Sequence, residues 1–125
     1  MRLLHQLRGH LPVWPVDPLP QQGSVLIEIY TALAAMEAGR PPSRSKMRTL
    51  EEVNEALMQL GSQPVSVSNA PQDDNQADAL VTAAWLRRAA HRPELWRPQG
   101  LTDAIAATEG WTFGANWRNS ARTPA

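Results

Sequence analysis

The apolar residues between Thr49 and Gly61 are spaced with the period of a helix. Thr49 and Glu52 have the spacing of a capping box, in which two residues satisfy each other's free backbone amides at a helix start. A single stripe of apolar side chains follows, made of Val53, Ala56, Leu57 and Leu60. The pattern predicts a helix that ends at Gly61, because glycine commonly follows the last residue of a helix.

Four further segments are predicted to be helical from their apolar spacing and from residues that begin or end helices. They are residues 2–8, Thr31–Ala38, about Asp74–Ala90 and Leu101–Ala107. The longest follows Asp73, whose carboxylate can accept hydrogen bonds from the first free amides of a helix, and it stops before Pro93. The 11 prolines in 125 residues indicate short elements joined by many connections.

Residues 24–30 have the clearest strand pattern, with five apolar side chains around Glu28. Apolar residues occur on both faces of this segment, as is typical of a strand covered by helices on both sides. Shorter extended segments are predicted over 11–17, 65–67 and 109–115. These elements predict one α/β domain over residues 1–115, followed by a flexible tail over 116–125.

Composition excludes several classes of protein. The 12 Lys and Arg residues balance 12 Asp and Glu residues, which argues against a surface that binds a polyanion everywhere. The absence of cysteine excludes disulfides, zinc ribbons and a thiol nucleophile. No run of 18 apolar residues and no signal-cleavage pattern occurs, so we expect a cytoplasmic protein without a membrane segment.

Three acidic residues are candidates for chemistry. A carboxylate at Glu28 would be costly to bury in a doubly covered strand unless it were paired or bound a metal, whereas at a sheet edge it would reach solvent. Asp74 and Asp78 lie one turn apart at the start of the long predicted helix, on or beside its apolar stripe. Carboxylates at this spacing can bind a divalent cation, although such pairs are also common on solvated helices.

Four cations lie within nine residues of a loop rich in proline and serine. They are Arg40, Arg44, Lys46 and Arg48. Lysine and arginine in such a loop can contact the phosphates of a nucleic acid, or the loop can simply be solvated. Both interpretations stay open at the level of sequence.

Four segments of this chain, taken in order, resemble those of a family of predicted nucleases with an RNase H-like fold, which is catalogued as a domain of unknown function. The segments are VWPVD at 13–17, VLIEIYTAL at 25–33, DNQADALVTAAWL at 74–86 and EGWTFG at 109–114. The family typically has Trp/Tyr-Pro-Phe-Asp, Glu-x-Tyr-Pro, Asp-Ala-x-x-Ala and Glu-Gly-Trp-Ile-Phe at these places. The similarity extends from about Leu3 to Ala115.

The resemblance implies hydrolysis of phosphodiester bonds with Mg²⁺ or Mn²⁺ as cofactor. Glu28, Asp74 and Asp78 would then be both the catalytic residues and the metal ligands. The implied fold is a partial RNase H-like domain, a mixed sheet flanked by helices, because the family begins with a strand that bears a first catalytic Asp and this chain starts after that point. Thr31 stands where the family has proline.

Two other functions stay open at the level of sequence. The chain can be a non-catalytic binding or assembly module, in which another chain or a second copy covers an exposed sheet edge. It can also be a truncated remnant without activity. Nucleic acid is the partner that the first hypothesis requires.

Overall fold

The computed structural model describes residues 6–7, 9–44 and 46–115, with Pro42 described in its backbone only. Five α-helices lie wholly within these ranges: α1 (Thr31–Glu37), α2 (Leu50–Gln59), α3 (Asp74–Ala89), α4 (Pro93–Trp96) and α5 (Asp103–Thr108). Short 3-10 turns cover Pro42–Arg44 and Val67–Asn69. None of the described helices has the length and apolarity that crossing a bilayer would need.

The helices predicted after residue 30 are confirmed, and side-chain caps explain where α2 and α3 begin. The Thr49 hydroxyl accepts a hydrogen bond from the backbone N–H of Glu52 at 3.2 Å and starts α2. The Asp73 carboxylate accepts one from the N–H of Gln76 at 2.8 Å and starts α3. Most of the helix predicted over 2–8 lies outside the described residues, as does the tail predicted over 116–125.

The prediction of an α/β fold, a partial RNase H-like domain with a mixed sheet flanked by helices, is wrong. In the described ranges the extended segments form no sheet, and they pair only through isolated parallel bridges. One bridge joins Val13 to Leu26, and the other joins Glu28 to Thr112. A ladder needs several consecutive pairs, and neither pairing extends beyond one.

Residues 25–29 pair with two other segments, and each pairing ends where the partner segment turns. The Trp14 N–H donates to the Leu26 carbonyl at 2.9 Å, but the chain then turns over residues 14–17, where Pro15 has no N–H to offer. In the other partner segment, the Phe113 N–H donates to the Glu28 carbonyl at 2.8 Å, and a turn begins at Phe113 itself. Local turn formation therefore limits each partner segment to a single bridge.

The short strand predicted over 65–67 is also absent, because a side chain takes the place of a neighbouring strand. The Asn54 carboxamide accepts from the Val65 N–H at 2.8 Å and donates to the Val65 carbonyl at 3.1 Å. Both backbone polar groups of Val65 are thereby satisfied without a sheet. The chain then enters the 3-10 turn at Val67–Asn69.

The chain divides into two compact units. Among the described residues, one unit contains those up to Ile29 together with those from Glu94 to Ala115, and the other contains those from Tyr30 to Pro93. In the second unit α3 packs against both α1 and α2. Its buried apolar residues are Ala34, Ala35, Ala38, Met47, Val53, Ala56, Leu57, Leu60, Ala77, Val81, Ala84, Trp85 and Ala89. The many alanines allow close helix packing, since helix separation depends on side-chain size at the contact.

The first unit has an aromatic core. Phe113 is fully buried, with its ring centroid 5.8 Å from that of Trp14 and 4.6 Å from that of Trp96. The two tryptophan rings meet edge to face at 5.6 Å. Such tilted and perpendicular arrangements are the favoured ones for aromatic pairs. Three residues far apart in sequence therefore hold this unit together.

Candidate functional site

The acids of α3 occupy two different environments. Asp74 lies in the first turn of the helix and is exposed. Asp78 lies one turn later, and its side chain is only 17% exposed. The Lys46 ammonium nitrogen is 3.5 Å from Oδ2 of Asp78, and the Thr31 hydroxyl donates to the same oxygen at 3.5 Å. Asp78 is thus held between α1 and the basic loop.

The basic loop is closed by its first cation. The Arg40 guanidinium donates to the Arg44 carbonyl at 2.6 Å, to the Lys46 carbonyl at 3.1 Å and to the Glu52 carboxylate at 2.6 Å. Its side chain is only 15% exposed. Arg40 therefore fixes the shape of the loop and attaches the loop to α2.

The other three cations of the loop are more exposed than Arg40. The side chains of Arg44, Lys46 and Arg48 are exposed. Arg48 lines a cleft of about 190 Å³ together with Asp74. The other lining residues are Met47, Thr49, Leu50, Val53, Ala70, Pro71, Gln72, Asp73 and Ala77. The second unit thus brings the predicted basic loop and the predicted helix acids together.

Glu28 lies in the first unit, and its carboxylate is exposed. The Thr112 hydroxyl donates to its Oε1 at 3.3 Å. The expectation of a desolvated carboxylate inside a covered strand is therefore wrong, because no sheet forms around it and the side chain reaches solvent. The alternative placed this glutamate at a sheet edge in contact with solvent; its exposure agrees with the structure, but the sheet does not form.

Metal ligands are sparse in the part of the chain that the structure describes. No group of three or more His, Cys, Asp or Glu side chains lies close enough together there to hold an ion.

The contacts of Asp78 with Lys46 and Thr31 could not be predicted from the sequence, because these residues lie 32 and 47 positions away from Asp78.

One carboxyl of this region has a perturbed pKa. The hydrogen bond from Arg40 lowers the pKa of Glu52 below its ordinary value of 4.5; partial desolvation opposes this shift and the Thr49 hydroxyl adds to it. Because the folded-state pKa lies below the unfolded one, the stability that this pair contributes is present above pH 4.5. It is lost as the pH falls through the lowered value.

We therefore expect acid to detach the basic loop from α2. An NMR titration of the Glu52 side chain should give a pKa below 4.5 in the parent protein and a higher one in Arg40→Gln. Glu55→Gln, which changes an exposed carboxylate on the same helix, serves as the control. An equal Glu52 pKa in the parent and in Arg40→Gln would contradict the assignment.

Comparisons with known proteins add no relative: no protein-family model, no curated protein and no solved structure matches this chain.

Proposed function

We propose that this chain hydrolyses phosphodiester bonds of nucleic acid with the help of Mg²⁺ or Mn²⁺, through the acids of α3 and the basic loop. The observation that carries the proposal is the convergence of these two groups in one unit. Lys46 contacts Asp78 at 3.5 Å, and Arg48 lines the same cleft as Asp74. The order of the four sequence segments that resemble the nuclease family supports the same chemistry.

Carboxylates next to exposed cations suit a phosphate substrate. Lysine and arginine contact phosphate oxygens, while carboxylates bind the divalent ion that accompanies them. In this proposal Arg44, Lys46 and Arg48 contact the phosphates, and Arg40 keeps the loop in place through its three hydrogen bonds. The Lys46 ammonium then contacts Asp78 in the free protein and a phosphate in the complex.

Two carboxylates one turn apart fit a single, largely hydrated ion, since Mg²⁺ is commonly bound through one or two carboxylates and several waters. Asp74 and Asp78 would hold it. The bound ion would supply Lewis-acid polarisation of a phosphoryl oxygen. Thr31 positions the Asp78 carboxylate by its hydrogen bond, and Lys46 neutralises that carboxylate when no ion is present. Glu28 lies in the other unit, and its part in the proposal is tested below by Glu28→Gln.

The test combines ion binding with cleavage. Calorimetric titration with Mn²⁺ should reveal binding to the parent protein, and Asp78→Asn should weaken that binding at least about tenfold because it removes a charged ligand. Cleavage of DNA and RNA should fall by about two orders of magnitude or more in the same variant, the usual effect of losing a group that stabilises transition-state charge. Glu55→Gln serves as the control for removing a helix carboxylate away from the cleft.

The Lys46→Met variant makes the test sharper. Without the competing ammonium, Asp78 should bind Mn²⁺ more tightly, while nucleic acid should bind less tightly and with a smaller dependence on salt. Absence of Mn²⁺ binding, together with equal activity in the parent, Glu28→Gln and Asp78→Asn, would refute the proposal.

We place the activity in the cytoplasm, in keeping with a chain that has no cysteine.

A further inference from the structure

The cleft between the first turns of α2 and α3 has apolar walls and a polar mouth. Its volume is about 190 Å³, and its apolar lining residues are Met47, Leu50, Val53, Ala70, Pro71 and Ala77. Met47, Val53 and Ala77 are at most 4% exposed, whereas Leu50, Ala70 and Pro71 are half-buried and reach solvent. The polar lining residues Arg48, Gln72 and Asp74 are exposed. An apolar floor therefore opens to solvent between polar side chains.

The size and the lining of this cleft restrict what it can bind. Sites for drug-sized ligands combine apolar walls with a few polar groups and have volumes of about 300–1,000 Å³. This cleft has a similar make-up at about 190 Å³, so it admits one ring system rather than a whole nucleotide. A phosphate is disfavoured against its walls, because apolar side chains cannot replace the water that solvates a charge. The ligand that fits is an uncharged ring with polar edges.

The cleft adjoins the groups that the proposed function assigns to phosphate and metal. Arg48 belongs both to the basic loop and to the lining of the cleft, and so does Asp74 to the helix acids and the lining. Ala77 in the apolar wall directly precedes Asp78 in α3. A nucleotide whose phosphate contacts the basic loop therefore carries its base within reach of the cleft.

We propose, as an extension that rests on the proposed function, that this cleft binds one unpaired base of a single-stranded nucleic acid. Proteins bind unpaired bases between apolar side chains, on the plane of an arginine guanidinium, and through hydrogen bonds to the base edges. Arg48 supplies the guanidinium, and the Gln72 carboxamide supplies both donors and an acceptor. A base inside a duplex is stacked and paired and cannot enter unless it is flipped out. The substrate class is therefore single-stranded.

Binding of the base can be measured separately from binding of the phosphates. The probes are a short single-stranded DNA oligonucleotide and an abasic oligonucleotide of the same length, which has the same number of phosphates. In fluorescence anisotropy with EDTA present, we expect the parent chain to bind the first about tenfold more tightly, the order of effect of one stacked base. Equal affinity for the two oligonucleotides, or no binding of either, overturns the proposal.

Two substitutions in the cleft locate the contact. Ala70→Phe fills the cleft, and Ala83→Phe is its control, at an exposed position of α3 that does not line the cleft. Arg48→Lys keeps the charge but removes the planar guanidinium. Both cleft variants should lose most of the preference for the oligonucleotide with bases and keep the affinity of the parent for the abasic one, while Ala83→Phe should match the parent with both probes.

A preference for bases that is undiminished in the cleft variants overturns the proposal, since the bases would then bind elsewhere. If Ala70→Phe fails to fold, Arg48→Lys decides in the same way.

The absence of divalent ions from these measurements separates this inference from the proposed hydrolysis. Base-dependent binding by a chain that binds no Mn²⁺ and cleaves nothing would refute the hydrolysis and support the cleft. Mn²⁺-dependent cleavage together with equal affinity for the two oligonucleotides would support the hydrolysis and overturn the cleft.

Discussion

Replacing Phe113 by alanine should lower the free energy of unfolding of the first unit by about 3–5 kcal/mol, the usual cost of truncating a buried phenylalanine. The ring is fully buried and packs against Trp14 and Trp96 at centroid distances of 5.8 and 4.6 Å. Its removal leaves a cavity and also eliminates two aromatic pairs. Urea denaturation followed by tryptophan fluorescence measures the loss.

Val16→Ala is the control for this prediction, because Val16 lies in the same unit and is 56% exposed. Truncating an exposed side chain normally changes stability by less than about 0.5 kcal/mol. Phe113→Leu should fall between the two variants, since it keeps much of the apolar volume. Equal stability of Phe113→Ala and Val16→Ala would show that the aromatic cluster does not hold the unit together.

Replacing Leu57 by alanine should have a comparable effect on the second unit, a loss of about 2–5 kcal/mol. Leu57 is 2% exposed on α2, where it belongs to the buried stripe of that helix. Alanine has a higher helix propensity than leucine, so the helix itself is not weakened and the loss measures packing alone. Chemical denaturation monitored by circular dichroism at the helix band gives the value.

Met58 provides the matched control for this variant. It is the next residue of the same helix, but its side chain is 63% exposed. We expect Met58→Ala to change the free energy of unfolding by less than about 0.5 kcal/mol. A Met58→Ala variant as unstable as Leu57→Ala would mean that the helix buries a different face.

The candidate site could be predicted only in part. The sequence indicated Asp78 as an acid beside the apolar face of a helix, and its low exposure agrees with that placement. It could not indicate that Lys46 and Thr31 would contact this carboxylate, because helix periodicity carries no information about distant segments. For the same reason, the sequence left Arg40 as either a phosphate contact or a solvated side chain, whereas its guanidinium closes the loop.

The sequence by itself determined the local elements of this protein. The capping residues Thr49, Asp73 and Thr102 start helices α2, α3 and α5, because a side-chain oxygen satisfies a backbone amide within three residues of itself. The apolar stripe of α2 likewise correctly predicted which of its residues are buried.

Only the tertiary structure decided whether the extended segments would form a sheet. Residues 24–30 have a strong strand pattern, yet strand pairing needs long partners, and those partners turn away at Pro15 and Phe113. Backbone pairing depends on the length and the turns of a partner segment that is distant in sequence, and the local residue pattern gives no information about that partner. The outcome is a pair of isolated bridges where the sequence predicted a sheet.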